Sequence, residues 1–161
     1  MKFEAVIGLL ADAGVDFVVI GGVAMLVHGS AHVTQDIDFC YSRSRENIRR
    51  LTSALLPYHP RLRGAPEGLP FMFDEETIRR GLNFTLSTDL GDVDFLGEVA
   101  GLGSYAAVRA ESEKIEAFGR SFDVLSIAGL LRAKRATGRK RDKEAIHVLE
   151  SLLAIKKKPK G

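Results

Sequence analysis

Two aspartates one residue apart are the first feature of the sequence that could do chemistry. Asp36 and Asp38 flank Ile37 in VTQDIDFCY, residues 33–41, a run that predicts a β-strand. Alternate side chains on a strand share a face, so the two carboxylates start about 6–7 Å apart at the backbone. Like charges this close need a counter-charge, and a hard divalent cation such as Mg²⁺ is the natural one.

A third carboxylate could join them from a second predicted strand. Residues 82–99, LNFTLSTDLGDVDFLGEV, predict a hairpin that turns at residues 89–91 and carries Asp94 on its second strand. If that strand lies beside the first, three carboxylates converge and can hold two metal ions about 3.5–4 Å apart. Asp92 shares a face with Asp94 and competes for the role, but it lies next to the turn and ranks lower.

A glycine pair could supply the other half of such a site. Gly21 and Gly22 separate a predicted buried strand, residues 15–20, from a predicted short helix, residues 23–28, which Gly29 closes. A glycine turn lets backbone N–H groups approach a phosphate, and the start of the helix adds partial positive charge. Carboxylate-bound metal beside a phosphate-binding turn indicates phosphoryl or nucleotidyl transfer.

Each part alone also fits an ordinary structural role. A glycine pair after a strand can be only a tight turn, and Asp-x-Asp can be a solvated strand face. His28 fits a hydrogen-bonded histidine at a helix end better than a ligand, and Cys40 fits a small core residue. The combination, in this order and at this spacing, favours a catalytic site.

Together these residues resemble the nucleotidyltransferase superfamily, which has the DNA polymerase beta-like fold. Its signature is Gly-Gly or Gly-Ser, a short gap, and Asp-x-Asp or Asp-x-Glu; here the gap is thirteen residues. The wider pattern resembles a small bacterial branch that includes AbiEii-type toxin nucleotidyltransferases. The residues that match its IGG-x-A, HG and T-x-DID motifs are Ile20, Gly21, Gly22, Ala24, His28, Gly29, Thr34, Asp36, Ile37 and Asp38.

The resemblance implies Mg²⁺-dependent transfer of a nucleoside monophosphate from a nucleoside triphosphate, such as ATP, to a hydroxyl group, with release of pyrophosphate. It implies that Asp36, Asp38 and Asp94 are catalytic and hold two Mg²⁺ ions, with Mn²⁺ as an alternative. The residues implied to bind the nucleotide are Gly21, Gly22, Thr34 and Lys134. The acceptor stays open between tRNA, a protein and a small molecule, and the branch suggests an antitoxin as a partner.

The C-terminal segment LSIAGLLRAKRATGRKRDKEAI also resembles that branch, with Lys134, Arg139 and Asp142 at matching places. Lys134 fits a solvated lysine equally well, and Asp142 fits a helix cap or a partner for Arg139. One departure is His32, where relatives commonly carry arginine, because a neutral histidine would hold phosphate only weakly.

The elements that must position these residues form a mixed-sheet α/β (α+β) domain with flanking helices and a short C-terminal helical segment. A catalytic domain is expected over residues 1–125, a helical extension packed on it over 126–156, and a basic tail over 157–161. The other predicted elements are helices beginning at Phe3 and Ser44, a loop over 57–68, a helix capped by Asp74, a hairpin over 113–126, and helices over 126–137 and 141–155.

Composition limits the function classes. The 161 residues are 45% apolar and carry a net charge of +2, too small to indicate nucleic-acid binding by itself. A single cysteine excludes an internal disulfide and a cysteine-based zinc cluster. The N-terminal segment resembles neither a signal peptide nor a membrane span, so a cytoplasmic protein with no membrane partner is expected.

Two rival interpretations stay open. One is a catalytically inactive binding or regulatory protein on the same fold, because a fold alone does not establish activity. The other is a haloacid dehalogenase-type phosphatase, which also uses Asp-x-Asp after a strand. The glycine turn and helix that precede Asp36 argue against the phosphatase.

Overall fold

A computed structural model of the chain describes residues 3–31, 33–66 and 71–157, so His32 and residues 158–161 of the expected basic tail lie outside it. The helices are α1 (Phe3–Asp12), α2 (Gly21–Val27), α3 (Arg45–Leu55), α4 (Glu75–Arg80), α5 (Tyr105–Ala110), α6 (Ile127–Thr137) and α7 (Lys143–Lys157). The strands are β1 (Phe17–Ile20), β2 (Asp36–Tyr41), β3 (Arg61–Leu62), β4 (Phe84–Thr88), β5 (Gly91–Leu96), β6 (Glu98–Val99), β7 (Gly103–Ser104), β8 (Ser112–Ala117) and β9 (Arg120–Leu125).

Seven of the strands form one mixed sheet in the order β3-β4-β5-β2-β1-β9-β8. Two pairs are parallel, β2 with β5 and β1 with β9, and the other four pairs are antiparallel. The parallel pairs join segments far apart in the sequence, whereas β4–β5 and β8–β9 are hairpins. The predicted mixed-sheet α/β class with flanking helices is confirmed, as are the two predicted hairpins.

Side-chain caps explain where several helices begin. Ser44, Asp74 and Ser126 each accept a hydrogen bond from a backbone N–H in the first turn of α3, α4 and α6. Gly138, with φ of 61°, ends α6 in the left-handed conformation that glycine adopts without strain. The starts of these three helices therefore follow from short-range chemistry that the sequence displays.

The structure differs from the sequence predictions at several elements, among them the short antiparallel pair β6–β7, which was not predicted. β3 lies inside the predicted loop 57–68, and α5 occupies a segment where no helix was predicted. Both are short, and their pairing or packing comes from distant parts of the chain rather than from local periodicity. In addition, α2 already begins at Gly21, and β2 begins at Asp36 rather than at residue 33.

The core is a continuous hydrophobic cluster between the sheet and its helices. Phe39 of β2 stacks on Phe95 of β5, with ring centroids 5.4 Å apart, and contacts Phe17 of β1 edge-on. Cys40 is fully buried there, which confirms its predicted core position. Leu149 of α7 belongs to the same cluster. The division of the chain after residue 125 stays a prediction.

None of the helices among the described residues is both long enough and apolar enough to span a membrane.

Candidate active site

The parallel pairing of β2 with β5 brings three aspartates together. Asp38 lies opposite Asp94, and Asp36 lies opposite Asp92, in the register of the two strands. Carboxylate oxygens of Asp36, Asp38 and Asp94 all lie within 4.8 Å of one another. We call these three residues the aspartate cluster. Asp92 points to the same side but is half-exposed and accepts a hydrogen bond from the Ser87 hydroxyl, 3.1 Å away.

The cluster is electrostatically unfavourable without a cation. The pKa of Asp38 is raised to about 7, chiefly by burial and then by the hydrogen bond with Asp94 and the charges of Asp94 and Asp36, while the charge of Arg63 lowers it. Near neutral pH the cluster therefore retains a proton for part of the time. An all-oxygen, largely carboxylate set of ligands suits a hard divalent cation such as Mg²⁺ or Mn²⁺, so the residues present fit the metal that the sequence predicts.

Arg63 is the main site residue that sequence reasoning missed. Its Nη2 atom donates a hydrogen bond to Asp94 Oδ1 at 2.6 Å, and its Nη1 atom lies 3.7 Å from Asp36 Oδ2. Its Nε atom lies 3.4 Å from Asp92 Oδ2. The segment PRLRG offered no signal for this role, because Arg61 and Arg63 look alike until the sheet places one of them over β5.

The glycine turn packs directly against the aspartate cluster. Gly21 has a φ of 66°, and a Cβ atom at this position would overlap the Asp38 carboxylate. A Cβ atom on Gly22 would lie 2.9 Å from Thr34 Cβ and Oγ1. Both glycines are thus required for the start of α2 to approach the site residues this closely.

Thr34 lies between the glycine turn and the cluster. Its hydroxyl donates to the backbone carbonyl of Asp36 at 3.1 Å and lies 3.3 Å from Asp36 Oδ1. These contacts orient Asp36 at the start of β2. The structure therefore brings together six of the seven residues expected in the site: Gly21, Gly22, Thr34, Asp36, Asp38 and Asp94.

Lys134, the seventh expected residue, lies on α6 and pairs with another residue. Its ammonium group is 3.3 Å from Asp142 Oδ1, and both side chains are mostly buried. Asp142 thus pairs with Lys134 rather than with Arg139, and the Thr137 hydroxyl lies 3.4 Å from Asp142 Oδ2. This ion pair ties the end of α6 to the turn before α7.

His28 has structural partners on both ring nitrogens. Its Nε2 atom lies 2.8 Å from the carbonyl oxygen of Leu125, and its Nδ1 atom lies 3.3 Å from the Lys156 ammonium group. The ring joins the end of α2 to β9 and to α7. The interpretation of His28 as a hydrogen-bonded histidine at a helix end is confirmed.

Comparison with solved structures identifies the architecture. The chain is similar to the lincosamide antibiotic adenylyltransferase LnuA in its lincomycin-bound crystal structure, with a TM-score of 0.62 and 14% identity over 94% of this chain and 98% of that one. It is also similar to a Thermotoga maritima protein inferred to be a nucleotidyltransferase, with a TM-score of 0.55 and 15% identity over 94% and 96% of the two chains. The chain has the nucleotidyltransferase fold.

No family model matches the sequence, and no curated protein does either. Within the nucleotidyltransferase fold, identities of 14–15% establish the architecture and not the reaction, so the activity is argued from the site itself.

Proposed function

We propose that this protein is a Mg²⁺-dependent nucleotidyltransferase that moves a nucleoside monophosphate from a nucleoside triphosphate to a hydroxyl acceptor and releases pyrophosphate. The observation that carries the proposal is the aspartate cluster, in which three carboxylates within 4.8 Å of one another lie against a glycine turn. The nucleotidyltransferase fold supports it.

Each residue of the site takes a role in this reaction. Asp36, Asp38 and Asp94 would hold two Mg²⁺ ions, or Mn²⁺ in their place. The bound metal would neutralise phosphate charge and lower the pKa of the acceptor hydroxyl. Gly21 and Gly22 carry no side chain of their own, so a phosphate group could approach their backbone N–H groups closely.

Thr34 and Lys134 are the other two residues assigned to the proposed nucleotide site. Thr34 keeps Asp36 oriented through the contacts of its hydroxyl group. Lys134 would reach phosphate only by exchanging its Asp142 partner, which makes it the least supported residue of the proposed nucleotide site.

The acceptor is proposed to be a small molecule in preference to tRNA or a protein. The support is that LnuA, similar over nearly its whole length, is a lincosamide antibiotic adenylyltransferase with lincomycin bound in its structure. A role as the toxin of a toxin–antitoxin pair, with an antitoxin as partner, rests on the motif resemblance to AbiEii-type proteins alone.

A second candidate function has one observation in its favour. Arg63 places a guanidinium group over two of the three cluster carboxylates. A catalytically inactive binding protein on the same fold could keep its acidic residues neutralised permanently in this way. The two functions differ in whether a divalent cation can bind at the cluster.

Calorimetric titration of ATP, GTP, CTP and UTP tests the proposal, first with Mg²⁺ and then with EDTA. We expect at least one triphosphate to bind only with Mg²⁺, and Asp36→Asn to weaken that binding about 100-fold or more, since the charge of a metal ligand is lost. Asp92→Asn, on the same face but outside the cluster, is the matched control and should change the affinity less than about five-fold.

Two results would contradict the proposal. Triphosphate binding that is equally strong in EDTA would remove the metal from the site. Binding in Asp36→Asn as tight as in the wild-type protein, with Mg²⁺ present, would place the nucleotide elsewhere on the molecule.

A further inference from the structure

Arg63 is a cationic partner of the aspartate cluster among the described residues. The residue directly follows β3, and its backbone N–H donates to Thr85 of β4 at 3.0 Å. From this edge its side chain reaches over β4 to Asp94 at 2.6 Å, Asp92 at 3.4 Å and Asp36 at 3.7 Å. One guanidinium group thus balances three carboxylates from two neighbouring strands.

A guanidinium group and a divalent cation compete for the same oxygen atoms. Mg²⁺ binds carboxylate oxygens at about 2.0–2.1 Å and demands near-octahedral geometry. Asp94 Oδ1 already accepts the hydrogen bond from Arg63, so this oxygen is shared with the guanidinium group. An ion held between Asp94 and Asp36 would also lie within a few ångströms of the guanidinium carbon, where repulsion between positive charges is strong.

We propose that Arg63 is an internal counter-ion, which occupies the acidic site while metal is absent and leaves the carboxylates when divalent cations bind. Metal binding is then an exchange of one cation for another, and Arg63 sets the affinity of the site. This inference rests on the proposed function, because it takes the aspartate cluster to be a metal site.

The contacts of Arg63 are compatible with such an exchange. Its Nε atom is buried, yet at 3.4 Å from Asp92 it is too poorly aligned for a hydrogen bond and has no other partner among the described residues. An unsatisfied buried N–H group makes this position of the Arg63 side chain less stable than its ion pairs alone would suggest. Its Nη2 atom also donates to the Leu86 carbonyl at 3.1 Å. If the guanidinium group moved into solvent, hydrogen bonds to water would replace this bond.

The backbone around Arg63 also permits movement. β3 has only two residues and lies at the edge of the sheet, where few hydrogen bonds oppose local opening. Gly64 follows with φ of 78°, and no atom of the described residues lies within 4 Å of the position that a Cβ atom would take there. The backbone that carries Arg63 therefore has few packed contacts that would oppose a local shift.

Titration of Mg²⁺ and of Mn²⁺ into metal-free Arg63→Met protein tests the inference. Methionine keeps the aliphatic length of the side chain and removes the charge. We expect divalent cations to bind about ten-fold more tightly or better than to the wild-type protein, because a positive charge close to the ion is gone. Arg61→Met is the matched control, since it makes the same charge change two residues away on the exposed part of β3, and it should shift the affinity less than about two-fold.

Two further measurements guard against a variant that merely folds poorly. Arg63→Lys keeps one charge and loses the planar fork, so it should fold and give an intermediate cation affinity. In EDTA, Arg63→Met should melt at a lower temperature than the wild-type protein. Saturating Mg²⁺ should remove this difference, because it binds the folded state of the variant.

The outcomes separate this inference from the proposed function. If Arg63→Met and wild-type protein bind Mg²⁺ equally, and Asp38→Asn abolishes binding in both, the cluster is a metal site and the competition with Arg63 is refuted. If neither protein binds Mg²⁺ or Mn²⁺ above the Asp38→Asn background, the inference and the metal dependence of the proposed function both fail.

Discussion

Asp38 shows how far the properties of a single residue depend on its neighbours. The sequence identifies it as a strand aspartate two residues from another, which predicts a raised pKa or a need for a counter-charge. Its pKa of about 7 results chiefly from burial, and then from Asp94, a partner on a strand more than fifty residues away. Motif spacing could predict which carboxylates belong to the site, but not how strongly they interact.

The raised pKa of Asp38 makes the stability of the metal-free protein depend on pH. Between about pH 4 and pH 7 the folded chain binds a proton that the unfolded chain has released, so stability falls as pH rises through this window. Asp38→Asn removes the free-energy cost of ionising Asp38 in the folded chain. In EDTA at pH 8 we expect the variant to be more stable than the wild-type protein by about 1–4 kcal/mol, and the difference to shrink toward pH 5.

Urea unfolding from pH 5 to pH 8 in EDTA measures this effect. Asp92→Asn, half-exposed and outside the cluster, serves as the control and should show no comparable pH-dependent gain. Parallel stability curves for Asp38→Asn and the wild-type protein would show that Asp38 is ionised as easily in the folded chain as in the unfolded one.

Arg63 marks the limit of prediction at this scale. Asp36, Asp38 and the glycine pair form a pattern within twenty residues, which the sequence displays directly. Arg63 touches the site only because β3 pairs with β4 and β4 with β5. A single sequence carries no periodicity that reports such a chain of pairings, so the counter-ion could not be predicted.

At the scale of elements, predictions were most accurate where the signal is local. The hairpins β4–β5 and β8–β9 have glycine at their turns, and α3, α4 and α6 have side-chain caps. β3 and α5 were missed because a two-residue strand and a six-residue helix are too short for a periodic pattern. The pairing of β2 with β5, which assembles the site, was not itself predicted. The sequence predicted only that the three carboxylates converge if these two strands are neighbours.

Asn47 connects α3 to the residues that flank the β1–β2 pair, Asp16 just before β1 and Ser42 just after β2. Its side chain accepts a hydrogen bond from the Asp16 N–H at 2.6 Å and donates to the carbonyls of Asp16 at 3.1 Å and Ser42 at 2.7 Å. Asn47 is only 2% exposed, so its side-chain amide has little access to water. We expect Asn47→Ala to lower the free energy of unfolding by about 2–4 kcal/mol.

Urea unfolding of Asn47→Ala measures this loss. Asn83→Ala is the control, because Asn83 is exposed and accepts one hydrogen bond, from the N–H of Gly97 at 3.0 Å. It should cost less than about 1 kcal/mol. Similar losses in the two variants would mean that the Asn47 contacts do not hold α3 in place.

At the scale of the whole molecule, the C-terminal helices share the core of the sheet. Leu130 and Leu131 of α6 and Leu149 of α7 are buried in the same hydrophobic cluster as β1 and β2. The sequence predicted these two helices from their apolar stripes and a terminating glycine. It predicted them as an extension beyond residue 125. No local signal in a sequence distinguishes a helix that packs on a finished core from a helix that forms part of the core.

Leu149→Ala tests how far the extension and the sheet depend on each other. The side chain is fully buried, so its truncation should cost about 2–5 kcal/mol. We expect thermal unfolding to remain one transition at a lower temperature. Ile155→Ala, on the same helix but 65% exposed, is the control and should cost less than about 1 kcal/mol.

Scanning calorimetry of both variants distinguishes the alternatives. A second, earlier transition in Leu149→Ala would indicate that α6 and α7 unfold independently of residues 1–125, as a separate unit would.

The register of β2 and β5 also has a consequence during protein synthesis. Asp38 and Asp94 are paired although they are 56 positions apart, and β5 is made long after β2. A polypeptide leaving the ribosome carries the Asp-x-Asp motif early but cannot form the aspartate cluster until β5 has emerged. Translation products that stop before Asp94 would thus lack the three-carboxylate arrangement altogether, whatever else of the sheet they had folded.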